Sequence, residues 1–304
     1  PYVVSEYGDW EYYAMNAGLD QDAWQDLQQE ERSSRQLLAN GEERLLQQAR
    51  NIQEAHNDNF NTPAFADGYW VMFDYNRGYA DDLEASGIMS INRLPKFSYY
   101  FFRSQRDPDE VSDRFSSGPM VYIASYWDVN SNPAVRVFSN CEEVELHLND
   151  SLISKQWPDE DRISGNLAHP PFTFLLDQFE KGTLTATGFI NGQEAARHER
   201  KTPENPVVLR LRVDEHGKTP QSGVNDLVFV YAMIIDNNGT VVPVSGTTVN
   251  FTLEGDGELI SPSSAGSEAG IATAVVRIGE SAGPLTIHAS APGLAEGTVK
   301  FTSR

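Results

Sequence analysis

At 304 residues, with 39% apolar and 11% aromatic side chains, the chain is long and apolar enough for two or three packed domains, so wholesale disorder is excluded. A formal net charge of −21, from 23 basic against 44 acidic residues, repels phosphate backbones and anionic membrane surfaces; nucleic-acid binding is not expected, and solubility or a salty habitat accounts for the acidity. The one cysteine, Cys141, rules out an intrachain disulfide and a Cys-based zinc site, and no stretch approaches the ~20 apolar residues of a membrane span.

The first 116 residues alternate strand-like and helix-like segments. Tyr2-Val3-Val4-Ser5 is a short apolar run of the kind that forms a buried parallel strand. The chain opens inside this run rather than on a signal peptide, as a segment of a longer polypeptide would. From Trp24 to Asn57 a polar segment spaces Leu27, Leu38, Leu45, Ala49 and Ile52 along one helical face. A second apolar run, Gly68 to Tyr75, predicts another strand. A helix is predicted over Leu94 to Gln105, with Pro95 in its first turn. This β-α-β-α order argues for a parallel sheet or barrel.

From Gly118 onward only short strands and turns are predicted. They cover Val121 to Ala124, Ala134 to Phe138, Val144 to Leu148 and Gly182 to Gly188. After a Pro203-Glu204-Asn205-Pro206 linker come Val207 to Val213, Leu227 to Asp236, Thr247 to Leu253, Ala272 to Ile278, Leu285 to Ala289 and Gly297 to Phe301. Asn237-Asn238-Gly239 is a hairpin turn signal. Two successive β-sandwiches fit these spacings. Trp127 and Trp157 offer either sugar-stacking surfaces or core packing. Pro158-Asp159-Glu160-Asp161 reads as a solvated turn.

Chemistry-bearing residues gather where the two apolar runs end, and in parallel α/β architectures the C-terminal strand ends carry the chemistry. Glu6 ends the first run, beside Tyr7, a possible donor to its carboxylate, and Gly8, which permits a sharp turn. Trp70 lies inside the second run. An indole there stacks on the apolar face of a sugar or packs in the core. Asp74, Tyr75, Asn76 and Arg77 follow, as hydroxyl readers or as partners for one another. The six histidines are scattered, so no metal is expected.

Val4-Ser5-Glu6-Tyr7-Gly8 resembles the nucleophile motif of glycoside hydrolase family 2. Trp70-Val71-Met72-Phe73-Asp74-Tyr75 resembles that family's eighth barrel strand, and Leu94-Pro95-Lys96-Phe97-Ser98-Tyr99-Tyr100 the opening of its last barrel helix. Ser139 to Asn149 resembles the sandwich that follows the barrel in bacterial β-galactosidases of the family. The resemblance implies an α/β plus all-β chain: the last two βα units of a TIM (β/α)8 barrel (residues 1–116), then two immunoglobulin-like β-sandwiches (117–205 and 206–304).

Carried over, the resemblance makes Glu6 the nucleophile, Trp70 the floor of the sugar subsite and Tyr7 its neighbour. Asp74 and Tyr75 lie near the pocket, with Asp9, Trp10, Asn76 and Arg77 as further pocket residues. It implies a retaining β-glycosidase, foremost a β-galactosidase, with β-glucuronidase or β-mannosidase as alternatives. No cofactor is implied. Asn92-Arg93-Leu94-Pro95-Lys96 departs from the Asn-x-Lys motif by which the family's β-glucuronidases hold a carboxylate. No Asn-Glu pair precedes Glu6 to supply the acid/base, so these residues are expected to be inactive alone. The expected partners are a carbohydrate substrate and the rest of the same polypeptide, with self-association left open and a bacterial periplasmic or secreted location. The rival reading, from outside enzymology, is a carbohydrate-binding or spacer module.

Overall fold

The computed structural model describes residues 1–8, 36–78, 83–215 and 217–304. The chain divides into two compact units, Pro1–Thr202 and Pro203–Arg304.

In the first unit, strands β1 (Tyr2–Tyr7) and β2 (Ala64–Tyr69) pair in parallel, with Val4 opposite Asp67 and Tyr7 opposite Tyr69. Helix α1 (Glu42–Phe60) lies between them in sequence and buries Leu45, Ala49, Ile52 and His56 on one face. The expected spacing of that face holds from Leu45 onward; its Leu27 end lies outside the described residues. The Glu42 carboxylate caps another segment, accepting from Ser125 Oγ, Ser131 Oγ and the Tyr126 amide. Burial pushes this carboxyl group upward in pKa.

The strand expected over Gly68 to Tyr75 falls earlier in the chain, at Ala64–Tyr69, and shares only Gly68 and Tyr69 with that run. It ends at Tyr69, and Trp70 stands just beyond it. The backbone from Val71 to Asp74 turns to another partner: Ile88 donates to Val71 O, Met89 to Met72 O, and Asp74 N to Met89 O, all at 3.0 Å. Residues 75–84 contribute a short antiparallel pair, β3 (Tyr75–Asn76) with β4 (Leu83–Glu84). Helix α2 (Phe97–Ser104) starts later than predicted, because Pro95 bridges to Met89 and Lys96 takes the cap position.

The remainder of this unit is a β-sandwich. One sheet has β5 (Val121–Ile123), β6 (Ala134–Ser139) and β9 (Phe172–Leu175). The other has the order β11-β10-β7-β8, formed by β7 (Glu143–Leu148), β8 (Ser151–Gln156), β10 (Thr183–Ile190) and β11 (Gln193–Lys201). Val137, Val144, Leu146, Phe172, Phe174 and Leu184 fill the space between the sheets. Trp127 is fully buried in this core, its ring tilted against Phe179, whereas Trp157 is 61% exposed. The sandwich also holds the helices: Tyr100 on α2 stacks on Tyr122 with centroids 3.5 Å apart, and Gln53 on α1 donates to Ser164 Oγ at 2.9 Å. The Asp159 carboxylate is not merely solvated; it accepts from both the amide and the hydroxyl of Thr173.

The second unit is also a sandwich. Its sheets run β12-β13-β17-β15 and β16-β14-β18-β19, from β12 (Val208–Asp214), β13 (Leu227–Ile235), β14 (Thr248–Glu254), β15 (Gly257–Leu259), β16 (Ser264–Gly266), β17 (Ile271–Ile278), β18 (Gly283–Ser290) and β19 (Gly297–Ser303). Val230, Ile234, Phe251, Val276 and Ile287 form its core. The Asn237-Asn238-Gly239 turn forms as predicted. Asp236 Oδ1 accepts from the amides of Asn238 and Thr240, and Gly239 takes the left-handed conformation at φ 78°.

Candidate active site

The two parallel strands bring their C-terminal ends side by side. The Trp70 amide donates to Tyr7 O at 2.7 Å, so the residues on either side of that bond are held as neighbours. Gly8 is needed at this junction. It adopts φ 126°, and a Cβ there would lie 2.3 Å from the Tyr69 ring and 2.7 Å from Trp70 O. Glu6 is exposed at the end of β1. Trp70 is 40% exposed, and its indole N–H donates to Tyr75 Oη at 3.2 Å; the two rings meet edge-on at 6.0 Å. The Trp70–Val71 peptide is cis.

Tyr7 does not serve the Glu6 carboxylate. Successive strand residues face opposite ways, and Tyr7 turns toward helix α1. Its hydroxyl lies 3.3 Å from His56 Nδ1, which donates to Asp67 Oδ2 at 2.7 Å. Burial, and then the Asp67 charge, push the Tyr7 hydroxyl well above the ordinary phenol range. Burial alone would raise Asp67, but the donors His56, Asn59 and Tyr7 more than offset it, and this carboxyl group is held below its usual range. The expected donor role of Tyr7 toward Glu6 is therefore corrected: the carboxylate it partners is Asp67.

Asp74 and Arg77 are likewise not open to a sugar. Asp74 Oδ1 accepts from Lys96 Nζ at 2.8 Å and from the Gly87 amide at 2.9 Å, with both charged side chains fully inaccessible. Lys96 Nζ also donates to Ala85 O at 2.8 Å. Arg77 pairs with Glu84 Oε2 at 2.8 Å, again almost wholly buried. The other Glu84 oxygen accepts from the amide and hydroxyl of Ser86. Gln48 on α1 donates to Gly87 O and accepts from Ser98 on α2. Gly87 admits no side chain, since a Cβ would sit 2.2 Å from the Asp74 amide. Of the expected site residues, Glu6 and Trp70 thus stand at the strand ends with Tyr75 against Trp70, Asn76 is exposed next to Tyr75 in the chain, and the side chains of Asp74 and Arg77 are buried in ion pairs. Asp9 and Trp10 lie outside the described residues. Among the described residues no group of three metal-ligating side chains forms, and no helix is long and apolar enough to cross a membrane.

Known proteins resemble the chain over most of its length. A family model described as glycoside hydrolase family 2 C-terminal domain 5 matches residues 209–300, and a domain of unknown function (DUF4982) matches residues 131–196. The β-galactosidase of Thermoanaerobacter pseudethanolicus is 33% identical over 244 residues, which is 75% of this chain and 32% of that protein. The chain belongs to glycoside hydrolase family 2. A β-glucuronidase of Formosa agariphila is 25% identical over 252 residues, 77% of this chain and 24% of the relative. The solved structure of a β-glucuronidase from glycoside hydrolase family 2 shares the fold, with a TM-score of 0.68 at 21% identity; the match covers 99% of this chain and 31% of that one. This family 2 chain therefore spans about a third or less of the length of these two curated relatives.

The motifs that carry the family resemblance have a physical explanation here. The Asp of the Trp70 segment and the Lys of the helix-opening segment are the two halves of one buried ion pair. Sequence reading of this family 2 chain missed that pairing. Lys96 is the sole lysine before Lys155, and an isolated lysine between Pro95 and an aromatic helix is a signal for it. His56 was also missed, although it continues the Leu45, Ala49, Ile52 spacing of the buried face. Nothing in the sequence points to Glu84 as the partner of Arg77.

Proposed function

We propose that this chain carries the nucleophile half of a retaining β-galactosidase site, with Glu6 attacking the anomeric carbon. The observation that carries this reading is an exposed glutamate at the C-terminal end of β1, beside an exposed tryptophan just past the adjacent parallel strand, in a family 2 chain. Strands β1 and β2 then belong to the end of a TIM barrel, and the two sandwiches are immunoglobulin-like supports. In the first step the Glu6 carboxylate forms an ester to the sugar while the leaving oxygen takes a proton from a second carboxyl group about 5–5.5 Å away. Water, deprotonated by that same group, then cleaves the ester. The second carboxyl group comes from polypeptide outside these residues, which also covers Tyr2, Val3 and Phe65, all exposed here. Trp70 stacks against the sugar ring, oriented by Tyr75.

The likeness to the Formosa β-glucuronidase favours a uronic acid as the second reading. A uronate needs a cation at the pocket, and the lysine of this segment is already committed to Asp74, which favours the neutral sugar. A panel of nitrophenyl glycosides on the full polypeptide tests the pair: the β-galactoside should be the best substrate. Glu6→Gln should abolish turnover of whichever glycoside is best. Activity retained within about tenfold, some 1.4 kcal/mol of barrier, sinks the assignment of Glu6.

A further inference from the structure

Resting on that reading, we propose that the buried Asp74–Lys96 pair is a positioning device that sets the orientation of the Trp70–Tyr75 aromatic platform, and through it sugar binding, without touching the sugar. Both charged side chains are fully inaccessible, so neither reaches a ligand directly. Their contacts among the described residues run along one seam. The backbone of Val71, Met72 and Asp74 is bonded to Ile88 and Met89, and the Lys96 amide donates to Ile88 O at 3.0 Å. Asp74 Oδ1 closes the end of this seam by accepting from both Gly87 N and Lys96 Nζ. Tyr75 follows immediately.

Tyr75 is fixed from its other side too. It bridges to Glu84, whose carboxylate holds Arg77 two residues beyond. The tyrosine is thus flanked in sequence by one member of each of two buried ion pairs, and its hydroxyl accepts the Trp70 indole N–H. A pair kept only for stability is replaceable by apolar groups of similar volume, often with no loss. Where a pair sets the backbone on which an aromatic platform rests, the same replacement restores stability yet still lowers turnover, because small displacements at a binding site are costly.

The test is a double-mutant cycle on kcat/KM for a nitrophenyl β-galactoside, run in the full polypeptide with Trp70→Ala, Asp74→Asn and the combination. Asp74→Asn alone should lower kcat/KM on the order of tenfold to a hundredfold. In the Trp70→Ala background the same substitution should cost less than about threefold more, since coupled residues are non-additive. A merely structural role predicts equal losses in both backgrounds, and that result overturns the proposal. Should Asp74→Asn fail to fold, Asp74→Leu with Lys96→Met takes its place in the cycle, keeping volume while removing both charges. If Trp70→Ala leaves kcat/KM unchanged while Glu6→Gln abolishes it, the platform is refuted and the nucleophile assignment stands. If Glu6→Gln also retains activity, the functional reading itself has failed.

Discussion

Phe251 and Lys96 are both fully buried side chains, but they sit in opposite kinds of interior. Around Phe251 the second unit offers Val230, Ile234, Val249, Val276 and Ile287 from two facing sheets. Each such side chain contributes roughly 1.5–3 kcal/mol by leaving water, and many alternative packings of similar volume would serve. Around Lys96 the first unit offers Asp74, Ala85 O and the Gly87 amide beside Asp74. Here desolvation opposes burial, and only complete pairing offsets it. The apolar interior specifies a volume. The polar seam specifies one arrangement of named atoms, and its backbone bonding begins at Val71, the residue after the exposed Trp70.

The largest test of this contrast is fragmentation. Residues 203–304, expressed alone, should unfold in one cooperative transition with an enthalpy of about 60–80 kcal/mol at the midpoint, as expected near 100 residues. Residues 1–116 alone should show none, because two parallel strands with Tyr2, Val3 and Phe65 exposed cannot close a core. Differential scanning calorimetry reads both. A broad, non-cooperative melt of residues 203–304 breaks the comparison from the apolar side.

Next in size is the seam itself. Lys96→Met strands the Asp74 carboxylate in a dry site and should cost about 3–5 kcal/mol of local stability, while Asp74→Leu combined with Lys96→Met should recover most of it. Hydrogen exchange at the amides of Asp74, Gly87 and Lys96, in the full polypeptide, measures this without requiring two-state melting. Equal protection in the single and the double variant would mean that the charges do not need each other.

How far each region is legible in the sequence follows the same division. In the second unit the strands are regular and half-buried, and period-two alternation such as that of Thr248–Glu254 marks them directly. In the first sandwich β11 escapes a sequence reading. Gln193–Lys201 is polar along nearly its whole length, as an edge strand that faces water can be. β9 is short and directly preceded by Pro170 and Pro171, so it carries too little pattern to separate from a loop. Near the strand ends, the position of Glu6 is legible because the apolar run that precedes it marks strand β1 directly. The roles of Tyr7, Asp74 and Arg77 are not, because a polar residue after a strand reads the same whether it faces a ligand or a buried partner. Only the contacts to His56, Lys96 and Glu84 separate the two.

The smallest effect sharpens the polar side through pH. The Asp67 carboxyl group is held below its usual range in the folded chain by His56, Asn59 and Tyr7. A depressed folded pKa means that its stabilisation is complete above the unfolded value of about 3.9 and fades as pH falls from there through the lower folded value. Hydrogen bonds to a charged group set an upper scale of about 1.5–3 kcal/mol, which solvent screening reduces at this half-buried site. Residues 203–304 are a poor control for this experiment: Asp236 is also held low, its burial more than offset by four backbone amides, so that unit loses stability in acid as well. The proper control is Asp67→Asn in the same polypeptide. The variant should melt below the parent at pH 7, and the gap should narrow as pH falls below about 4 and the parent's own carboxylate takes up its proton. A gap that stays constant across that range would show that the Tyr7–His56–Asp67 contacts do not favour the carboxylate, and that β1 is held to α1 by packing alone.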